Sequence, residues 1–322
     1  MHPFRVILTT ILYFIFCLSC RNANARPDTI PGLIRQPGAV HFLVMGDWGT
    51  RGSAPQLKVA SAMEAAASQL GISFLIATGD NFYPSGVSST EDAHWKESFE
   101  NVYDHPSLQC RWLPVLGNHD YDQHVDAQVN YTRHSNRWFM PGRYYDSSFA
   151  LGNDSVLLVF LDTEPIERKL RGLPVDTTKY SADYVDTQLK WFEARLKNSS
   201  ARWKIVTGHH PLHTGGSRRH NRRIKKLRRL LQPVLHASDV SFYFSGHEHH
   251  LELLKPKGPT HFIISGAGVE ARHVGWFKRY RRFAARKRGF VAVSISPTTA
   301  LIQFISEDQK VLHRQYIKRN EP

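Results

Sequence analysis

The sequence predicts an α/β layered domain, and three observations carry that expectation. Short apolar runs rich in β-branched and aromatic residues recur along the chain, helical periodicity alternates with them, and further strand-like runs gather near the C-terminus. The strand-like runs are His41–Met45, Phe74–Ala77, Trp112–Leu116, Val156–Leu161, Trp203–Thr207, Val240–Phe244, His261–Ile264, Phe290–Ile295 and Leu301–Ile305. Several are apolar at nearly every residue, as in a sheet covered on both faces. Helical spacing fits Pro55–Leu70, Val185–Lys197 and Ile224–Leu235. No long linker, repeat or low-complexity block interrupts this order, so residues 26–322 read as one domain with a substantial core.

The first residues read differently. Arg5 precedes an apolar run from Val6 to Leu18, and Ala23-Asn24-Ala25 follows with small residues. The run is short for a membrane span and has the three-part form of a signal peptide over residues 1–25, which implies a secreted or secretory-pathway protein. Of Cys17, Cys20 and Cys110, cleavage leaves Cys110 alone, so no internal disulfide is expected. Asn130, Asn153 and Asn198 begin glycosylation sequons.

At 41% hydrophobic and 22% charged residues, the composition is that of a globular chain and leaves no large disordered fraction. Net charge is +14, or +12 without Arg5 and Arg21, and it is concentrated in two runs, Arg218–Arg229 and Lys278–Arg288. Such a chain attracts phosphorylated small molecules, phosphoproteins, polyanions or anionic surfaces. Each run reads equally as a solvated basic face.

Chemistry enters where the strands end. Five apolar runs pass directly into Gly46-Asp47-Trp48-Gly49, Gly79-Asp80-Asn81-Phe82-Tyr83, Gly117-Asn118-His119-Asp120, Gly208-His209-His210 and Gly246-His247-Glu248-His249. Glycine permits positive φ and close backbone approach, which suits a sharp exit from a strand. The carboxyl edge of an α/β sheet is where ligands bind. Five such loops would gather Asp47, Asp80, Tyr83, Asn118, His209, His247 and His249. Carboxylate, phenol, amide and imidazole donors without a thiolate suit iron, zinc or manganese. Seven donors exceed one ion but serve two, an arrangement fitted to displacement at phosphorus.

These five blocks resemble the signature of the purple acid phosphatases, within the calcineurin-like metallophosphoesterases. The likeness runs from Val40 to Ser306 and continues in Arg137-Trp138, Leu161-Asp162-Thr163 and Ser265-Gly266-Ala267-Gly268. The segment lengths are similar to the small type, typified by mammalian tartrate-resistant acid phosphatase. The resemblance implies two mixed β-sheets flanked by helices. It implies an Fe(III) held by Asp47, Tyr83 and His249, with Asp80 bridging to Fe(II), Zn or Mn at Asn118, His209 and His247. The implied reaction is phosphomonoester hydrolysis near acidic pH by in-line attack of a metal-bound hydroxide.

His119 follows a ligand position, where it would contact substrate, protonate the leaving group or orient a neighbour. His210 and His213 replace aromatic residues of the mammalian enzymes and would touch phosphate or pack. Residues 164–180 occupy the place of the mammalian regulatory loop and offer Arg168, Lys169 and Arg171 to proteases. Two rival readings are a phosphodiesterase or nucleotide hydrolase on the same scaffold, and a basic polyanion-binding protein. Tyr83, and the absence of His at the third place of Asp47-Trp48-Gly49, argue against the first. The full ligand set argues against the second.

Overall fold

The computed structural model describes residues 29–276 and 279–319. The expected signal peptide, with Cys17 and Cys20, lies outside the described residues. Thirteen strands are present among them: β1 Val40–Met45, β2 Phe74–Ala77, β3 Arg111–Pro114, β4 Tyr145–Leu151, β5 Asp154–Leu161, β6 Trp203–Gly208, β7 Phe242–Ser245, β8 Leu251–Leu254, β9 His261–Ser265, β10 Arg281–Ala285, β11 Gly289–Ile295, β12 Thr299–Ser306 and β13 Val311–Lys318. The α-helices are α1 Ala54–Leu70, α2 Ala93–Trp95, α3 Asp126–Asn130, α4 Thr163–Leu170, α5 Tyr184–Lys197 and α6 Arg222–Ala237.

The strands form two mixed sheets, ordered β13-β12-β11-β1-β2-β3 and β10-β8-β9-β7-β6-β5-β4. In the first, β1, β2 and β3 run parallel and β11 pairs antiparallel with β1. In the second, β5, β6, β7 and β9 run parallel. Side chains such as Phe42, Val44, Leu158, Ile205 and Phe244 form the shared core between the sheets. The outer face of the second sheet buries Leu157, Val159 and Tyr243 with Phe192 of α5 and Leu227, Leu231 and Leu235 of α6. Both faces are covered, which is why β2 is apolar throughout and β1 and β7 are apolar except at His41 and Ser245.

The helices obey their local sequence. Pro55 opens α1, where a missing N–H costs nothing, and Gly71 closes it in the left-handed region at φ +67°. Asn221 caps α6 by accepting from the Arg223 N–H. Ile224, Leu227, Leu231 and Leu235 of α6 fall on one buried stripe, leaving the basic residues opposite.

The structure adds elements that the sequence reading lacks. β4, β10 and β13 end their sheets or lie at an edge, and β8 is four residues squeezed behind His249. Part of the basic run at 278–288 is the edge strand β10, a place where charge discourages pairing with other chains. Residues expected as loop after Glu164 begin as α4. The strand expected from Val240 starts at Phe242, because the Val240 N–H is bonded to the Leu235 carbonyl at the end of α6.

Candidate active site

The five strand exits lie side by side at the carboxyl ends of β1, β2, β3, β6 and β7. Glycine serves mainly close approach here. A Cβ on Gly46 would stand 2.0 Å from Thr78 Oγ1, one on Gly117 2.2 Å from Asp80 Oδ1, and one on Gly246 2.3 Å from Asp47 Oδ2. Of the five leading glycines only Gly79 takes a positive φ, at +90°. The left-handed conformation falls instead on Asp47 (φ +58°), Asp80 (+48°) and His247 (+67°). Such strain persists where surrounding bonds hold it. The Asp47 N–H donates to the Gly79 carbonyl, the Trp48 N–H to Asp80, and the His247 N–H to Asp47 Oδ2. Trp48 anchors the loop from behind, buried against Phe82, Phe99, Tyr103, Trp112 and Trp138.

All seven expected donors converge. Tyr83 Oη lies 3.1 Å from Asp47 Oδ1, 3.1 Å from Asp80 Oδ2 and 3.3 Å from His249 Nε2. On the other side, His209 Nε2 lies 3.2 Å from Asn118 Oδ1, 3.1 Å from His247 Nδ1 and 3.4 Å from Asp80 Oδ2. Asp80 therefore faces both groups. Among the carboxylates and imidazoles of the described residues, Asp80, His209 and His247 present atoms close enough together to hold one ion.

The donor set fits cations on chemical grounds. His209 Nδ1 lies 2.9 Å from the Thr78 carbonyl and His249 Nδ1 lies 2.7 Å from Glu270, so each ring can present a free Nε2 to the cluster. Lone-pair donors then face one another at hydrogen-bond distance, which positive charge between them stabilises. Asp80 and His209 face each other as a charge pair within the cluster. Burial opposes charging His209, but Asp80 outweighs it and raises the imidazole to about 10. Burial likewise works against the Asp80 anion, and the His209 charge prevails to hold its carboxyl well below the usual range. Burial, then the Asp47 and Asp80 charges, push the Tyr83 phenol far above its ordinary value. A phenolate at Tyr83 requires a strongly charged cation.

The remaining candidates are spread around this cluster. His119 sits at the rim, partly exposed, with its ring 4.7 Å from that of Tyr83 and Nε2 4.0 Å from Asp80 Oδ2. His210 is buried behind His209, 2.9 Å from Thr163 Oγ1 and 3.5 Å from Glu164. Its ring lies 4.6 Å from His247 and lines a neighbouring cavity. His213 lines neither of these cavities; it bonds Gln232 at 2.7 Å beside α6. Asn130, Asn153 and Asn198 are exposed.

A cavity of about 330 Å³ opens over the cluster, bounded by Thr50, His119, Arg218, Glu270 and Arg272. A second of about 380 Å³ adjoins it through Asn118, Arg218 and His247. The sequence reading left Arg272 and Glu270 without a role because nothing in their spacing marks them. Asp120 had a signal, being in the third block. Its buried carboxylate accepts from the Asn81, Phe82 and Gly117 N–H groups and fastens two ligand loops together.

Comparison with known proteins gives the family. The family described as calcineurin-like phosphoesterase matches residues 40–251. Purple acid phosphatase 7 of Arabidopsis thaliana is 33% identical, over 98% of this chain and 98% of its own length. The chain is a purple acid phosphatase-family member of the calcineurin-like phosphoesterases. Tartrate-resistant acid phosphatase type 5 of Sus scrofa is 29% identical over 87% of each chain. Among solved structures, the purple acid phosphatase PPD1 of yellow lupin superimposes with a TM-score of 0.64 at 16% identity. That match covers 88% of this chain and 55% of the lupin one. GAP50 of Plasmodium, described as the anchor in the inner membrane complex, superimposes with a TM-score of 0.78 at 21% identity over 88% and 90% of the chains. At such identities these structures speak for the fold alone. The family and the two-sheet architecture are those the sequence motifs imply.

Proposed function

We propose that this chain is a secreted acid phosphatase that hydrolyses phosphate monoesters at an Fe(III)–M(II) centre, M being Fe, Zn or Mn. Family membership supports metal-dependent phosphatase chemistry. The observation that carries the finer reading is the pair of facing donor groups that share Asp80. Asp47, Tyr83 and His249 would hold the ferric ion; Asn118, His209 and His247 would hold the second, with Asp80 between. Such a pair supplies Lewis acidity and a water acidic enough to attack phosphorus.

The protein's own part is positioning and charge. Arg218 and Arg272 border the cavity and favour an anionic ester there. His119 lines the cavity with its side chain partly exposed, and it would donate a proton to the departing alcohol. His210 shapes the adjoining wall beside Glu164 rather than the open mouth. Residues 1–25 would direct secretion, residues 26–322 would form the single catalytic domain, and Asn130, Asn153 and Asn198 would carry glycans.

Purified protein should be coloured, contain about two metal ions per chain, and hydrolyse an aryl phosphate best at acidic pH. Tyr83→Phe should remove the colour. Colourless, metal-free wild-type protein without turnover would overturn the assignment.

A further inference from the structure

Beyond the two cavities at the cluster lies a third of about 430 Å³, between α6 and the β8–β10 side of the second sheet. Its charged walls are Arg219, Arg228, Lys257 and Arg279, with Thr214 and Gln232 between them, and no carboxylate lines it. We propose that this cavity is a subsite for a second phosphate on a multiply phosphorylated peptide whose first phosphate occupies the catalytic cavity. The inference rests on the phosphatase reading and gives that site a substrate class.

The surroundings make the lack of acid informative. Several cations of these same segments meet carboxylates: Arg281 meets buried Glu252 at 2.7 Å, Arg218 meets Glu248 at 3.7 Å, and Arg272 meets Glu270 at 2.7 Å, while Lys226 and Arg286 bond backbone carbonyls instead. Among the described residues, none of Arg219, Arg228, Lys257 and Arg279 lies within ion-pair distance of an acid. Arg228 instead approaches His213 Nδ1 at 3.5 Å, and the other ring nitrogen of His213 bonds Gln232. Arg279 lies over the Tyr280 ring at 5.1 Å. Four cations around one hollow repel one another, and a bound dianion removes that repulsion. Three of them are guanidinium groups, whose planar forks match phosphate oxygens.

Chain continuity joins this cavity to the catalytic one. In one loop, Arg218 lines the catalytic cavity while Arg219 and His220 line the basic one. In the other, Val269, Glu270 and Arg272 line the first while Arg279 and Tyr280 line the second. The loops touch where the Gly275 N–H donates to Gly215. Arg218 and Arg219 are sequence neighbours on the walls of the two cavities, so a short peptide bearing two phosphoserines would span from one to the other.

The test compares peptides of one sequence carrying one or two phosphoserines. Wild-type enzyme should prefer the doubly phosphorylated peptide by about tenfold in kcat/KM, expressed in KM. The double variant Arg228→Gln/Lys257→Gln should lose that preference while keeping its melting temperature and its turnover of an aryl phosphate. Equal rates on both peptides, or a preference that survives the double substitution, would overturn the subsite. Anisotropy titration with the labelled doubly phosphorylated peptide reads the cavity separately. If aryl phosphate were not hydrolysed the phosphatase reading would fall, and weaker peptide binding by the double variant would still uphold the cavity.

Discussion

Asp47, Asp80 and His247 occupy backbone conformations that residues with a Cβ rarely adopt, and each also turns a donor atom into the cluster. Buried carboxyls supply a second residue-scale feature. Asp162 is pushed up to about 7 by burial, against the hydrogen bonds from Tyr121 and Tyr184 and the charge of Arg143, and with Glu164 raising it further. The Tyr184 hydroxyl donates to it at 2.8 Å, and Gln188 bonds its backbone. An unfolded aspartate ionises near its usual value, so between about pH 4 and 7 the unfolded chain releases a proton that the folded one keeps. Stability contributed at Asp162 therefore falls as pH rises through that window, by on the order of 4 kcal/mol, and is level above it. Asp162→Asn should flatten the decline in melting temperature between those limits. An unchanged pH profile would assign the decline to other groups.

At the scale of elements, strand exits and helix ends use glycine for different reasons. Gly246 follows β7, where a methyl group would collide with the Asp47 carboxylate at 2.3 Å. Gly71 ends α1 at φ +67°, with no atom within 4 Å of an added Cβ. Gly246→Ala should displace Asp47 and remove metal and activity, while Gly71→Ala should keep activity and lose about 1 kcal/mol of stability from left-handed strain. Metal analysis beside thermal melts separates the two. The same scale explains which strands were legible. β1, β2, β6 and β11 are covered on both faces and are mostly apolar, interrupted only at His41, Lys204, Thr207 and Ser294. In β13, partly and fully exposed residues alternate, and β10 is half-exposed with arginines at its start, so their periodicity is diluted by charge. α4 is short, and its burial comes from packing beside α6 rather than from a long amphipathic repeat.

Across the whole molecule, a net charge of +14 gives a field that draws in anions. The two basic runs divide on folding. Arg218 reaches the catalytic cavity, much of α6 presents its cations away from the sheet, and Arg281 is tied to Glu252. Raising ionic strength to about 0.5 M should lower kcat/KM for a phosphate ester several-fold and leave kcat nearly constant. A salt-independent kcat/KM would mean that the basic surface lies outside the substrate's approach. Among the described residues, no helix is long and apolar enough to cross a membrane.

Sequence by itself determined the layered class, the three long helices, most inner strands and the seven polar residues at the strand exits that the fold brings together, because burial and strand-end chemistry leave local patterns in residue type. Only the tertiary structure decided that Asp80 faces both donor groups, that Asp120 ties their loops, and that the strain falls on the donors themselves. It alone placed Arg272 at the catalytic cavity and gathered beside α6 four cations that have no acidic partner among the described residues. The reason is physical: a strand's burial is written in its own residues, whereas a meeting of side chains from distant loops depends on the sheet order that brings the loops together.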